Sequence, residues 1–165
     1  LRVFLRFLYL RNYTEKDLSL SVPKQKKYNY PAVPSTWEPD EVKRMLDAID
    51  RGSPVGKRDY AILLLVAKLG MRVGDLKALK LSNLNWNNKT ITITQEKTKA
   101  PTTYPILHDV GWALIDYLQH ARPECDVPYL FVRMNAPYEA FGQNANLHNI
   151  ITKYILLTGI TVPRG

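Results

Sequence analysis

The sequence has little of what several protein classes require. Its one cysteine, Cys125, excludes an internal disulfide framework and a metal site built from several cysteines. Its three histidines, His108, His120 and His148, are too scattered for metal-ligand spacing, so we expect surface or packing roles for them. No apolar run reaches the roughly 18 residues of a transmembrane helix, and no signal-peptide pattern follows Leu1. These features favour a cytoplasmic protein without a metal.

Acidic residues are also few, since 15 aspartates and glutamates stand against 23 lysines and arginines in the 165-residue chain. The net charge of +8 and the isoelectric point near 9.6 favour a polyanionic partner, nucleic acid first and an anionic membrane surface second. Many basic proteins bind no such partner, so charge alone leaves the function open.

Differences in composition divide the chain into three segments. Residues 1–20 begin with an amphipathic pattern that predicts a helix, which we expect to be the last helix of a preceding domain. Residues 21–37 are rich in proline and lysine, which is typical of an extended linker. Lys24, Lys26 and Lys27 in this linker could follow a phosphate backbone or could simply keep the linker soluble. Because the chain starts at a leucine rather than a methionine, we expect it to be part of a longer protein.

The remaining residues, 38–165, show helical periodicity and should form the main domain. Helices are predicted from Pro39 to a stop near Gly52, over about 57–69, from about Arg72, over about 109–121 and over about 144–157. The helix over 57–69 is apolar nearly all round, which indicates a central position. In the helix over 109–121 we expect these side chains to face inward: Trp112, Ile115 and either Leu118 or Tyr117.

A change of period interrupts the helices. The stretch LNWNNKTITIT, residues 84–94, alternates apolar and polar side chains around a turn at Asn87 and Asn88. The stretch TTYPI, residues 102–106, predicts a further strand. The fold class is therefore α+β, mainly α-helical with a small antiparallel sheet of two or three strands. We expect the tryptophans at 37, 86 and 112 to pack in the core or the linker.

Two groups of charged residues are candidates for chemistry. Arg72 and Asp75 lie three positions apart and so share a helix face, where the carboxylate could orient the guanidinium for binding two phosphate oxygens. Lys97 and Lys99 lie in QEKTKAP, the predicted tip between two strands, where an amine could contact DNA or donate a proton. Taken alone, the first pair could be a surface salt bridge and the second a solvated loop charge.

The order of these parts resembles the first half of the catalytic domain of tyrosine recombinases, the phage integrase family. The segment LGMRVGDL, residues 69–76, is similar to the family's Thr-Gly-x-Arg-x-x-Glu-Leu motif. LKLSNLNW, residues 79–86, resembles the next family segment, with Asn83 in place of the usual aspartate. A lysine hairpin follows, with Lys97 at the family's hairpin lysine, and TYPIL resembles the returning strand. Residues 1–20 look like the end of the family's N-terminal DNA-binding domain.

The resemblance implies site-specific recombination of double-stranded DNA through a 3′-phosphotyrosine intermediate, without a metal or nucleotide cofactor. Arg72 would bind the phosphate, Asp75 would orient Arg72, and Lys97 would protonate the departing 5′ oxygen, with Lys99 as the alternative. The DNA contacts would include Lys24, Lys26 and Lys27. The family assembles as tetramers on DNA, whereas this chain alone is expected to be a monomer or an artificial dimer.

The sequence departs from the family in its second half. No His-x-x-Arg box is present, none of the ten tyrosines stands in the context of the nucleophile, and GITVPRG, residues 159–165, resembles the segment just before that box. We therefore expect a fragment that binds DNA without cleaving it. Two alternatives stay open, a non-catalytic basic DNA-binding protein and a basic helical scaffold that binds proteins or acidic membranes.

Overall fold

The computed structural model describes residues 1–23, 36–95, 97–142 and 145–160, and these form two compact units that divide between residues 35 and 36. Lys24, Lys26 and Lys27 of the predicted linker lie outside the described residues, as does the terminal stretch 161–165. The assignment of the first unit to the end of a DNA-binding domain stays a prediction.

The first unit contains helix α1, Arg2–Leu10, and a short 3-10 turn, Leu18–Ser21. The carboxylate of Asp17 caps this turn by accepting a hydrogen bond from the Ser19 amide at 2.9 Å. The Arg2 Nε donates to the Val22 carbonyl at 2.9 Å, which ties the helix to the segment after the turn. The predicted amphipathic helix therefore forms, but none of its residues is buried.

The second unit carries the other helices of the described residues. Their bounds are α2 Pro39–Asp47, α3 Pro54–Leu69, α4 Val73–Ala78, α5 His108–His120 and α6 His148–Thr158. Helix α2 ends before the predicted stop at Gly52, and α6 begins after the predicted start at residue 144. Both differences lie at helix ends, where periodicity defines the boundary poorly.

Local signals explain where the central helix α3 begins and ends. The Ser53 hydroxyl accepts a hydrogen bond from the Gly56 amide at 3.1 Å, and Pro54 occupies the first turn, where its missing N–H costs nothing. At the other end Gly70 adopts the left-handed conformation, with φ of 62°, that a non-glycine residue adopts at a cost. Residues 61–65 between these ends are all buried, as expected for a central helix.

The sheet has three antiparallel strands in the order β1-β2-β3. The strands are β1 Leu84–Asn85, β2 Thr90–Thr94 and β3 Pro101–Pro105. Ile91 pairs with Tyr104 and Ile93 with Thr102, and both isoleucines are buried against the helices. The predicted fold class, mainly α-helical with a small antiparallel sheet, is confirmed.

Two apolar clusters hold the second unit together. The larger joins α3, α4, β2, α5 and the apolar stretch at 129–132, with Leu65, Leu76, Ile91, Leu114 and Phe131 all at 1% exposure or less. The smaller joins α2 and α6 to the other face of α3. Each large aliphatic side chain buried here contributes about 1.5–3 kcal/mol relative to an exposed one.

The predicted inward face of α5 is wrong in part. Trp112 is 61% exposed, whereas Tyr117 is fully buried and its hydroxyl accepts a hydrogen bond from the Val132 amide at 3.4 Å. A Cβ at Gly111 would meet the Ile106 side chain at 3.2 Å, so a larger residue there would require Ile106 to shift by a few tenths of an ångström. The prediction for the tryptophans also fails at Trp86, which is 42% exposed.

Candidate active site

Arg72 lies in the short connection between α3 and α4, where it is the N-cap residue of α4. Met71 before it is 2% exposed and Leu76 after it is 1% exposed, so the connection is anchored on both sides in the core. The Arg72 backbone is extended, with φ of −74° and ψ of 149°, and its side chain is exposed. Buried residues on both sides thus hold the backbone from which the exposed guanidinium projects.

The Arg72 side chain contacts the hairpin between β2 and β3. Its Nη1 donates a hydrogen bond to Oε1 of Gln95 at 2.8 Å. Gln95 follows β2 directly and closes the hairpin, because its amide donates to the Ala100 carbonyl at 2.9 Å and its carbonyl accepts from the Lys99 amide at 2.9 Å. The hydroxyl of Thr98 also donates to Gln95 Oε1, at 2.8 Å. A single glutamine therefore joins the arginine to the hairpin.

The two candidate lysines lie in this hairpin. Lys97 and Lys99 are both exposed, and Lys99 adopts a positive φ of 55° at the turn. The structure thus brings Arg72 next to the segment that carries both amines, since its hydrogen-bond partner Gln95 lies two positions before Lys97. Sequence reasoning missed Gln95, although a polar side chain at a strand end beside a basic tip was a signal that could have been weighed.

Asp75 lies in the first turn of α4 and is 3% exposed. Its role in orienting Arg72 stays a prediction. Asp75 lines a pocket of about 240 Å³ that opens between α4 and β2 and also includes Lys80, Asn83 and Thr94.

Asn83, at the position where the family pattern has aspartate, links this pocket to the sheet. Its Nδ2 donates to the Thr92 carbonyl at 2.9 Å, and its Oδ1 accepts from the Lys80 amide at 2.8 Å. An ionised aspartate could accept the second hydrogen bond but could not donate the first. The departure from the pattern therefore has a local structural role.

A second cluster of charges lies on α5, on the side of the helix that faces the start of α3. Asp116 accepts hydrogen bonds from Lys57 Nζ at 2.6 and 2.7 Å and lies 3.0 Å from His120 Nδ1. The hydrogen bond from Lys57, and then that from His120, lower the pKa of Asp116 below its usual value. The cluster stabilises the contact between α3 and α5.

The third cluster is buried and surrounds Asp59, which is 2% exposed. Arg58 donates to Asp59 Oδ1 from Nη2 at 2.7 Å and from Nε at 3.1 Å, and the Tyr154 hydroxyl donates to Oδ2 at 3.0 Å. Burial, followed by the charge of Asp59, raises the pKa of Tyr154. This cluster joins α3 to α6.

The described ranges contain no group of three or more histidine, cysteine or acidic side chains that could hold a metal ion. Among the helices that the structure describes, none is long and apolar enough to cross a membrane.

The second unit is thus a helical domain with a three-stranded sheet, in which an arginine is hydrogen-bonded to a lysine hairpin. The family model described as phage integrase family matches residues 36–159, and the chain belongs to this family. It is 35% identical over 164 residues to a putative integrase/recombinase, y4rF, of Sinorhizobium fredii, covering 99% of this chain and 39% of that protein. It is 34% identical over 134 residues to y4gC, named likewise in the same organism, covering 81% of this chain and 68% of that protein. The chain thus spans well under half the length of y4rF.

Solved structures support the same fold. The crystal structure of XerA recombinase matches with a TM-score of 0.67 and 22% identity, covering 99% of this chain and 54% of that one. A lambda integrase tetramer bound to a Holliday junction matches with a TM-score of 0.66 and 14% identity, covering 99% of this chain and 48% of that one. At these identities the likeness establishes the architecture.

Proposed function

We propose that this chain supplies the first part of the active site of a tyrosine-type site-specific DNA recombinase. Arg72 binds the phosphate that is cut, and a hairpin lysine, Lys97 or Lys99, protonates the departing oxygen. The observation that carries the proposal is the hydrogen bond from Arg72 to Gln95, because it couples the guanidinium to the lysine hairpin on one exposed surface.

The proposed reaction exchanges one phosphodiester for another. A tyrosine hydroxyl oxygen attacks phosphorus and its proton passes to water. The bond from phosphorus to the 5′ oxygen breaks, and that oxygen takes a proton from the lysine ammonium. Arg72 stabilises the negative charge that accumulates on the non-bridging oxygens, which is commonly the largest catalytic contribution. Asp75 orients Arg72 in this proposal, and no tyrosine of the chain is assigned as the nucleophile.

Double-stranded DNA is the proposed partner. The net charge of +8 favours a polyanion, and the structural neighbours include a lambda integrase tetramer bound to a Holliday junction and a XerH recombinase bound to difH substrate. In this proposal Lys24, Lys26 and Lys27 follow the DNA backbone, and residues 1–20 end a DNA-binding domain. Assembly as a tetramer on DNA belongs to the same proposal.

Covalent adduct formation tests the role of Arg72. The full-length product of the gene is incubated with nicked suicide substrates that carry its recombination site, and adducts are separated on denaturing gels. Arg72→Ala should lower the adduct yield by about 10²–10³-fold, the usual effect of removing one such contact. Arg51→Ala is the matched control, since Arg51 precedes α3 and Arg72 follows it, and α3 itself is about 24 Å long at 1.5 Å per residue.

Equal yields from the Arg72→Ala and wild-type proteins would overturn the proposed role. DNA binding without any adduct from the wild-type protein would favour a non-catalytic DNA-binding protein. DNA affinity that does not fall with salt would favour the basic scaffold instead.

A sulfur substitution distinguishes the two lysines. Replacing the 5′ bridging oxygen by sulfur gives a leaving group that needs no proton, because a thiol has a pKa of about 8.5. Loss of the general acid should slow cleavage of the normal substrate by about 10²–10⁴-fold and leave the sulfur substrate almost unaffected. The general acid is the lysine whose alanine variant, Lys97→Ala or Lys99→Ala, shows this difference between the two substrates. If neither variant shows it, neither lysine supplies the proton.

A further inference from the structure

We infer that Gln95 is a positioning residue, which sets the orientation of the Arg72 guanidinium and couples it to the lysine hairpin. The inference rests on the proposed function of Arg72 in binding a DNA phosphate. It adds a residue outside the arginine motif and gives the hairpin a role besides that of its lysines.

The Gln95 side chain is itself held in place. Its Oε1 accepts hydrogen bonds from Arg72 Nη1 and Thr98 Oγ1, both at 2.8 Å, which fills the two lone pairs of an amide oxygen. Its Nε2 lies 3.5 Å from the Tyr104 hydroxyl, and its backbone makes two hydrogen bonds that close the hairpin. Because both ends of the residue are fixed, the oxygen that receives Arg72 has a defined position.

The geometry of a guanidinium explains what this contact can do. The group is planar and has five N–H donors, of which a phosphate uses two in parallel. Gln95 takes one donor at Nη1, and this contact fixes the rotation of the plane about the end of the side chain. Any displacement of the turn that holds Lys99 also displaces the Gln95 backbone, because the Lys99 amide donates to its carbonyl at 2.9 Å. Phosphate binding and lysine placement are therefore linked through one residue.

The chemistry of the amide matters as much as its position. A carboxylate here could accept the same hydrogen bond, but it would form an ion pair with Arg72 and compete with the phosphate for its charge. A neutral amide orients the cation without neutralising it. This difference gives the inference a specific test, since Gln95→Glu keeps the acceptor and Gln95→Met removes it at similar size.

A double-mutant cycle on the 165-residue chain provides the test. Affinity for a fluorescein-labelled DNA duplex of arbitrary sequence is measured by anisotropy between about 50 and 200 mM salt, where phosphate contacts dominate. Arg72→Ala should weaken binding and reduce the slope of log affinity against log salt by about 0.9. Gln95→Met should weaken binding about three- to tenfold in the wild-type background and have no effect when Arg72 is already alanine.

Two controls separate positioning from hairpin stability. Thr98→Val removes the other hydrogen bond to the same oxygen and should change affinity little. Gln95→Glu should weaken binding more than Gln119→Glu, an equal charge change on an exposed part of α5. Gln95→Glu also serves if Gln95→Met does not fold, because the carboxylate preserves the contacts of the acceptor.

The outcomes are distinguishable. Three results would overturn the inference and leave the role of Arg72 standing. The first is an equal loss of DNA affinity from Gln95→Met with and without Arg72, and the second is a loss from Thr98→Val as large as that from Gln95→Met. The third is an equal loss of affinity from Gln95→Glu and Gln119→Glu. Unchanged binding by Arg72→Ala would overturn the proposed function, and the inference would fall with it.

Discussion

Tyr154→Phe tests the buried cluster that joins α3 to α6. The variant removes one hydroxyl, which donates to Asp59 Oδ2 at 3.0 Å while both residues are 2% exposed. A hydrogen bond to a charged group contributes about 1.5–3 kcal/mol. Arg58 still pairs with Oδ1, and Lys153 lies 3.8 Å from Oδ2, so the carboxylate keeps partners. We therefore expect a loss near the lower value, about 1.5–2 kcal/mol in the free energy of unfolding.

The assay is urea unfolding monitored by tryptophan fluorescence. The dependence of the free energy of unfolding on urea concentration should be the same for the variant and the wild type. At about 2–4 °C per kcal/mol for a chain of this size, the melting temperature should fall by roughly 3–8 °C. Tyr138→Phe, at a residue that is 42% exposed, is the control and should change stability by less than about 0.5 kcal/mol. If Tyr154→Phe is equally neutral, Arg58 alone satisfies Asp59 and the reasoning is wrong.

The same hydroxyl predicts a dependence on alkaline pH. The pKa of Tyr154 is raised in the folded protein, so above the usual tyrosine pKa of 10.0 the unfolded chain loses this proton while the native state keeps it. The native state then binds more protons, and the free energy of unfolding falls as the pH rises past 10.0. Tyr154→Phe should show a smaller alkaline loss than the wild type, and an identical loss would contradict the assignment.

Three further variants test local features by urea unfolding. Gly56→Ala should lower the free energy of unfolding, because the alanine Cβ would lie 1.8 Å from the Asp50 carbonyl oxygen. This clash outweighs the helix propensity of alanine, which is better than that of glycine by about 1 kcal/mol. A stabilised variant would contradict this packing. Lys99→Gly should raise the free energy of unfolding by about 1 kcal/mol, because glycine adopts the φ of 55° at this position without strain. A loss of stability would show that Lys99 is not strained. Asp116→Asn should lower the free energy of unfolding by less than about 1 kcal/mol, because the Asp116 side chain that pairs with Lys57 is 39% exposed. Since the pKa of Asp116 is lowered, this loss of stability should be complete above the usual aspartate pKa of 3.8 and disappear as the pH falls further. A loss that persists in acid would refute the ion pair.

The elements with one dominant signal were predictable from the sequence. The continuous apolar run of α3, ended by Gly70, and the strict alternation of TITIT in β2 each admit one interpretation. Helix α5 has apolar residues on more than one face, so its periodicity alone supports competing orientations. Packing decides between them, since Tyr117 is buried in the core whereas Trp112 is 61% exposed.

The candidate site was predictable to a similar extent. Arg72 and the hairpin lysines stand out through the order of motifs, which resembles a family pattern. The contact between Arg72 and Gln95 joins residues 23 positions apart and depends on where β2 ends, so no local pattern reveals it. Asp75 was placed on the same face as Arg72 by its spacing, but its burial follows from how α4 packs on the core.

The salt dependence of DNA affinity for Arg72→Ala and Arg51→Ala tests the central claim most directly. Both variants remove one positive charge from the 165-residue chain, at opposite ends of α3. If Arg72 holds a DNA phosphate, its removal lowers the salt slope by about 0.9 whereas removal of Arg51 leaves the slope unchanged. Equal slopes for the two variants would contradict the claim.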